Sequence, residues 1–256
     1  KARHTYEKRT DTNDTETARI LLHKAIKIDD NIITAKLLLG ITYMEIGKYD
    51  EAMEIYIPTL KQADILGDTH GMGAILSSIG SVHDDKGNYE KALKYFDKSL
   101  KIDEELGDKA GMGITLSNIG LVHSNKGDYE KALRYHNLAL KIKEEVGNKQ
   151  GIGITLSNIG LVHNKKGNHD KALEYYNRAL NIQEEKGNKY YMGYNLINIG
   201  VVHSDKGDCE KALEYYNRAL KIQEKIGDKY GMGFTLSNIG VAHSDKGDYE
   251  KALEYS

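Results

Sequence analysis

Hydrophobic residues recur along most of the chain at a helical spacing, three and four positions apart. In one segment Leu116, Ile119, Gly120 and His123 fall at positions i, i+3, i+4 and i+7. The next segment follows the same rule with Tyr129, Ala132, Leu133, His136, Ala139 and Leu140. A stripe on one side only is typical of an amphipathic helix. The two segments therefore predict two helices, each with one buried face.

Glycines mark the ends of these predicted helices. Gly127 lies where the first helix must stop and Gly147 where the second must stop, because glycine tolerates the left-handed cap conformation. Asn148 follows as the N-cap of the next helix. Loops this short force consecutive helices to run antiparallel, so the pair is predicted to form a helical hairpin.

The hairpin recurs with a period of 40 residues. The segments GDYEKALRYHNLALKIKEEVGNK, GNHDKALEYYNRALNIQEEKGNK and GDCEKALEYYNRALKIQEKIGDK begin at Gly127, Gly167 and Gly207. The partner segments GMGITLSNIGLVHSNK, GIGITLSNIGLVHNKK and GMGFTLSNIGVAHSDK begin at Gly111, Gly151 and Gly231, and a more divergent copy begins at Gly71. A fixed period of this length is typical of stacked arrays, in which neighbouring hairpins bury each other's apolar faces.

The period sets the predicted domain organisation. Residues 1–32 are expected to form a degenerate partial first repeat, and residues 33–256 the array. The predicted hairpins cover about 33–66, 70–106, 110–146, 150–186, 190–226 and, truncated, 230–256. The polar residues 1–16 predict either a degenerate first helix or a frayed end. The start at Lys1 and the stop inside a helix lead us to expect a fragment of a longer protein.

Composition excludes several classes of protein. The chain is 39% hydrophobic and 29% charged, which is typical of a folded chain and not of a disordered one. A net charge of -2 argues against a nucleic-acid partner, and no apolar run is long enough for a membrane span. Cys209 is the single cysteine, so an intrachain disulfide is excluded and a reducing, cytoplasmic location is expected.

One set of positions resembles a known family, the tetratricopeptide repeat. The set is Leu156, Ile159, Gly160, His163, Ala172, Tyr176 and Ala179. The resemblance covers the chain from about residue 17 onward, with two departures. Histidine replaces the family's usual tyrosine after the glycine, although Tyr43 keeps it, and the usual proline near the end of the second helix is missing. The resemblance implies an all-α fold, an alpha-alpha superhelix of antiparallel hairpins.

The 40-residue period is similar to the long-helix branch of that family. The branch includes kinesin light chains, LGN/Pins-type scaffolds and peptide-sensing bacterial regulators. Its members bind proteins or peptides, so the resemblance implies a protein- or peptide-binding scaffold, with the ligand in a concave groove lined by the first helix of each hairpin. The alternative is a regulatory or sensor module of a larger signalling protein with a kinase, cyclase or protease domain.

Several first-helix positions are predicted to face this groove. Asn118, Asn158, Asn198 and Asn238 form a row of amides that could pair with an extended peptide backbone, since an amide both donates and accepts. Ser117, Ser157 and Ser237 accompany them, as do Ser124, Asn164 and Ser204 one turn later. Ile114, Ile154, Tyr194 and Phe234 form an apolar row one turn earlier. The asparagines could instead bond across to the adjacent repeat.

No catalytic, metal or cofactor site is predicted. His83, His123, His163, His203 and His243 recur once per repeat, which separates them too far for a tetrahedral metal site, so core packing is favoured. Cys209 has no evident partner base, and an enzyme is not expected. The first helix of the final hairpin carries Leu236, Ile239 and His243 on a face that missing turns should cover, so we expect either end-to-end self-association or a poorly ordered final segment.

Overall fold

The computed structural model describes residues 12–255, and this range contains α-helices and no strand. The helices are α1 (Thr12–Ile28), α2 (Ile33–Met44), α3 (Tyr49–Leu66), α4 (Thr69–Asp85), α5 (Tyr89–Leu106), α6 (Lys109–Asn125), α7 (Tyr129–Glu145), α8 (Lys149–Lys165), α9 (His169–Lys186), α10 (Lys189–Asp205), α11 (Cys209–Ile226), α12 (Lys229–Asp245) and α13 (Tyr249–Glu254). The predicted partial first repeat begins in residues 1–11, which lie outside the described range.

The chain divides into two units, one ending at Ile142 and the other beginning at Lys143. In the first unit α2 pairs with α3 and α4 with α5, and the first helices α2, α4 and α6 adjoin one another. In the second unit α8 pairs with α9, α10 with α11 and α12 with α13, and the first helices α8, α10 and α12 adjoin. The predicted all-α fold of helical hairpins is confirmed.

The connections follow from a glycine and a polar cap. Gly127 and Gly147 have φ values of 82° and 69°, the left-handed region that glycine enters without strain. The Asn148 side chain then accepts a hydrogen bond from the Gly151 N–H at 2.9 Å. This bond satisfies one of the free backbone donors at the start of α8.

The hairpins that precede the last one are held by close packing of a first-helix glycine against a ring of the second helix. A methyl group built on Gly200 would lie 2.5 Å from the Tyr216 ring, and one on Gly120 would lie 2.6 Å from His136. Gly80 on Phe96 and Gly160 on Tyr176 repeat the arrangement. Because these glycines lack a side chain, the rings fill the space between the helix axes and are fully buried.

At three of the described junctions between hairpins, a buried polar residue near the end of the second helix forms a hydrogen bond with the next hairpin. Thr115 Oγ1 donates to Asp103 Oδ2 at 3.1 Å, and Thr235 Oγ1 donates to Gln223 Oε1 at 2.8 Å. At the equivalent position Lys143 Nζ donates to Thr155 Oγ1 at 2.9 Å. Burial lowers the pKa of Lys143 to about 8, because a protonated amine loses its hydration there.

The last hairpin differs from the sequence expectation. Ile239, predicted to lie on an open face, is 1% exposed and belongs to the apolar core of the second unit. That part of the prediction is wrong, because α11 and the short α13 already cover this position. The exposed apolar residues toward the end of this hairpin are instead Val241, Tyr249 and Leu253.

The glycine contact predicts opposite effects for two glycine-to-alanine changes. Gly200→Ala should destabilise the chain by about 1–2 kcal/mol, because overpacking against Tyr216 outweighs the gain in helix propensity. Gly233→Ala is the matched control, since nothing lies within 4 Å of its added carbon, and it should stabilise by about 0.5–1 kcal/mol. Urea unfolding followed by circular dichroism measures both, and equal effects of the two changes would contradict the packing account.

The buried amine predicts a stabilising substitution. Lys143→Gln should stabilise the chain by about 1–3 kcal/mol at pH 7, because the charged amine is costly to bury and glutamine already fills this position at Gln183 and Gln223.

The pH dependence follows from the lowered pKa of Lys143. Between about pH 8 and the ordinary lysine pKa of 10.5, the unfolded state binds more protons than the folded state. The original chain should therefore gain stability relative to Lys143→Gln over this window, which narrows the difference between them. Urea unfolding of both chains at pH 7, 8.5 and about 10 tests this, and a difference that stays constant with pH would count against it.

Candidate functional site

The first unit contains an open groove of about 670 Å³ between its first helices. Its apolar wall consists of Leu37, Ile41, Met44, Ala74 and Ile114. Its polar lining includes Ser77, Ser78, Ser81, Asn118 and the carboxylates Glu45, Asp85, Asp103 and Asp108. The groove thus includes two of the residues predicted from the sequence, Ile114 and Asn118, and Ile114 is 54% exposed.

The second unit presents aromatic rings at the corresponding first-helix positions. Tyr194 on α10 and Phe234 on α12 are 44% and 55% exposed, while Ile154 on α8 is half-buried. One turn earlier on the same helices, Tyr190 and Tyr230 are also exposed. We call these exposed rings (Tyr190, Tyr194, Tyr230 and Phe234) the aromatic face. Tyr190 and Tyr230 were not among the predicted groove residues, although their spacing of four residues from Tyr194 and Phe234 places them on the same helix face.

The asparagine row is half-buried, and its members make different contacts. Asn118 Nδ2 lies 3.4 Å from Ser77 Oγ of the preceding hairpin, a long hydrogen bond. Asn238 Nδ2 donates to the Phe234 carbonyl of its own helix at 3.1 Å. Asn198 Nδ2 is buried without a hydrogen-bond partner. The amides are therefore not committed to one shared structural bond across the repeats.

The predicted serines divide between buried and open positions. Ser117 and Ser157 are buried and donate to the Gly113 and Gly153 carbonyls at 3.0 Å, and Ser124 is also buried. These hydroxyls face into the array and present little surface to a ligand. Ser237 is exposed and Ser204 is half-buried, so these two positions remain accessible.

Asn164 lies near the C-terminal end of the first helix α8. Its Nδ2 donates to Asp205 Oδ2 of the next hairpin at 2.7 Å, and its Oδ1 lies 2.9 Å from His169 Nδ1. Asn164 therefore contributes to the contact between neighbouring hairpins, which sequence alone did not indicate.

The histidine row packs against tyrosines of the second helices. His83, His123, His163 and His203 stack on Tyr95, Tyr135, Tyr175 and Tyr215 at centroid distances of 5.3–5.4 Å. Burial lowers the pKa of His83, His123 and His203, which favours the neutral ring. In the described part of the chain, no three potential ligands cluster as a metal site would require. The favoured interpretation of this row as packing agrees with these contacts.

No helix within residues 12–255 has both the length and the apolar character needed to span a membrane.

Successive helical hairpins of this length, most of them closed by a glycine packed on a ring, define a class of helical repeat protein. The profile described as Tetratricopeptide repeat matches residues 31–105, 111–185 and 191–256. The chain therefore belongs to the tetratricopeptide repeat family. A comparison with curated protein sequences gives no significant match.

Solved structures of low sequence identity share the fold. BtubC (BKLC) from P. vanneervenii has a TM-score of 0.65 at 21% identity, covering 84% of this chain and 90% of that one. The apo form of RapI has a TM-score of 0.72 at 18% identity, covering 99% and 92%.

A third structure is much longer than this chain. It is a signal transduction ATPase with numerous domains and a tetratricopeptide repeat sensor, from Pyrococcus horikoshii. Its TM-score is 0.76 at 21% identity, with 94% of this chain covered, but the chain spans only 37% of that protein. At these identities the three comparisons show the fold alone.

Proposed function

We propose that this chain is a scaffold that binds a protein partner through an extended segment laid on the first helices of its hairpins. The aromatic face is the observation that carries the proposal. Tyr194 and Phe234 occupy equivalent positions on α10 and α12, and each leaves about half of its surface in solvent. Large exposed rings in a row mark interaction surfaces, because burying them on a partner releases their hydration water.

The asparagine row supports recognition of the partner's backbone. Asn198 Nδ2 is buried without a hydrogen-bond partner, and an unmet buried donor costs about 1–3 kcal/mol. A turn of the half-buried Asn198 side chain toward the groove would let a ligand carbonyl satisfy this donor. Asn158 lies at the same position of the neighbouring first helix and is also half-buried. Amides repeated in this way would hold an extended chain, while the rings select its side chains.

A regulatory or sensor role is the second candidate function. The observation in its favour is the shared fold with the tetratricopeptide repeat sensor of the ATPase described above, in which such an array is one part of a longer chain. The complete gene decides between the two, because a catalytic domain encoded with this array would favour the sensor.

The remaining features of the proposal concern setting and partners. The array binds rather than catalyses, and it needs no cofactor, nucleic acid or membrane. The single Cys209 fits a reducing, cytoplasmic location. Self-association through the last hairpin stays a prediction, with Tyr249 and Leu253 as its exposed apolar residues.

The first test uses peptides selected from a phage-displayed random library on the intact chain. Tyr194→Ser combined with Phe234→Ser should weaken a selected peptide at least tenfold, because two rings lose their buried contact. Ile65→Ser is the control, since Ile65 is also an exposed apolar residue but lies on a second helix. Fluorescence anisotropy measures the binding. If the control loses as much affinity as the double variant, or if the double variant loses none, the aromatic face is not the binding surface.

The second test addresses the amides. Asn158→Ala combined with Asn198→Ala should weaken the same peptide by about tenfold, since each lost hydrogen bond is worth about 0.5–1.5 kcal/mol. The urea midpoint of this variant should stay close to that of the original chain. A large drop in the midpoint with unchanged affinity would assign the row to contacts between hairpins instead.

A further inference from the structure

The groove of the first unit is chemically unlike the aromatic face. Asp85 lies at the end of α4, Asp108 caps the start of α6, and Asp103 lies between them on α5. All three line the groove together with Glu45, which follows α2. Among the groove-lining residues of the described chain there is no lysine or arginine. The apolar wall is thus bordered by negative charge.

Asp103 lies deepest of these groups. It is 5% exposed, and one carboxylate oxygen accepts the hydrogen bond from Thr115. Its other oxygen lies against Gly111, where an added methyl carbon would be 2.7 Å away. Burial raises the pKa of Asp103, because the ionised carboxylate loses hydration. A cation brought to the groove floor would offset that loss.

Asp85 and Asp108 are nearer to solvent than Asp103. The Asp108 side chain accepts from the Gly111 N–H at 3.0 Å, and its second oxygen lies 3.3 Å from Nδ1 of the exposed His70. Burial and the neighbouring Asp84 raise the pKa of Asp85. Each carboxylate is therefore partly desolvated at a surface that remains open.

Equivalent positions elsewhere in the chain show that folding does not require these charges. Asn148 caps α8 as Asp108 caps α6, with the same bond to a glycine N–H. Gln223 accepts from Thr235 as Asp103 accepts from Thr115. Asn125 stands where α4 has Asp85. Neutral residues serve the structural roles, so the negative charge of the groove is available for a ligand.

We propose that the first-unit groove binds a lysine or arginine side chain of the partner. The cationic end of that side chain lies at the carboxylates, and neighbouring apolar side chains of the partner pack on Leu37, Ile41 and Met44. This inference rests on the proposed function and specifies its ligand. Charge complementarity decides the choice, because an acidic segment would be repelled by the four carboxylates that line the groove. A basic side chain also has an aliphatic stem that suits the apolar wall.

The test compares peptides selected from the random library by the intact chain with the composition of the library. Lysine and arginine should be enriched several-fold at one or more aligned positions. The triple variant Asp85→Asn, Asp103→Gln and Asp108→Asn should bind a selected basic peptide at least tenfold more weakly. Each substitution installs the residue that the chain itself uses at an equivalent position, so circular dichroism should show an intact fold.

The controls separate this inference from the broader proposal. Glu54→Gln removes an exposed carboxylate from a second helix and should leave affinity unchanged. If the triple variant loses helicity, the double variant Asp85→Asn and Asp108→Asn takes its place, with a loss of about threefold or more expected. Selected peptides without basic enrichment, or with affinity unaffected by these variants, would overturn the inference but leave the proposed function standing. Selection of no peptide at all would overturn both.

Discussion

In the hairpins that precede the last one, a glycine of the first helix packs tightly against a ring of the second. Gly80, Gly120, Gly160 and Gly200 meet Phe96, His136, Tyr176 and Tyr216. Because any side chain at these glycines would collide with the ring, the contact sets how near the two helices approach and which face each turns inward. Side chains on the remaining face of the first helix, such as Tyr194 and Phe234, are consequently left to solvent and available to a partner.

A second constraint operates between hairpins and is chemically more permissive. At one second-helix position, Asp103, Lys143 and Gln223 make the same contact, a hydrogen bond with the threonine of the next first helix. An anion, a cation and an amide all satisfy it, at different cost. That tolerance allows charge to differ between the two units without altering the hairpin. The acidic groove of the first unit and the aromatic face of the second are two results of the same scaffold.

The fold was predictable because it follows from the spacing of a few residue types along the chain. The glycines, small residues and rings recur every 40 residues, and the family's pattern survives in most copies. The candidate site was only partly predictable. The exposure of Ile114, Tyr194 and Phe234 follows from their helical position. Ser117 and Ser157 lie only a few residues along the chain from these repeat positions, yet they are buried. Identical residues at equivalent repeat positions also make different contacts, as Asn118, Asn198 and Asn238 show.

Contacts between residues of different hairpins were the hardest to predict from the sequence. The groove joins Leu37, Asp103 and Asn118, which are far apart in the chain and share no repeat position. Ile239 was expected to be open, yet neighbouring helices cover it, because the short last helix already reaches that site. Such outcomes depend on how helices from separate hairpins meet, which a one-dimensional pattern does not specify.

The most direct test of the central claim is a crystal structure of the intact chain with a selected peptide bound. The account predicts an extended peptide whose contacts are made by first helices, with side chains against Tyr194 and Phe234 or in the groove beside Asp103. A peptide bound instead to the outer faces of the second helices, such as the surface around Glu54, would contradict it.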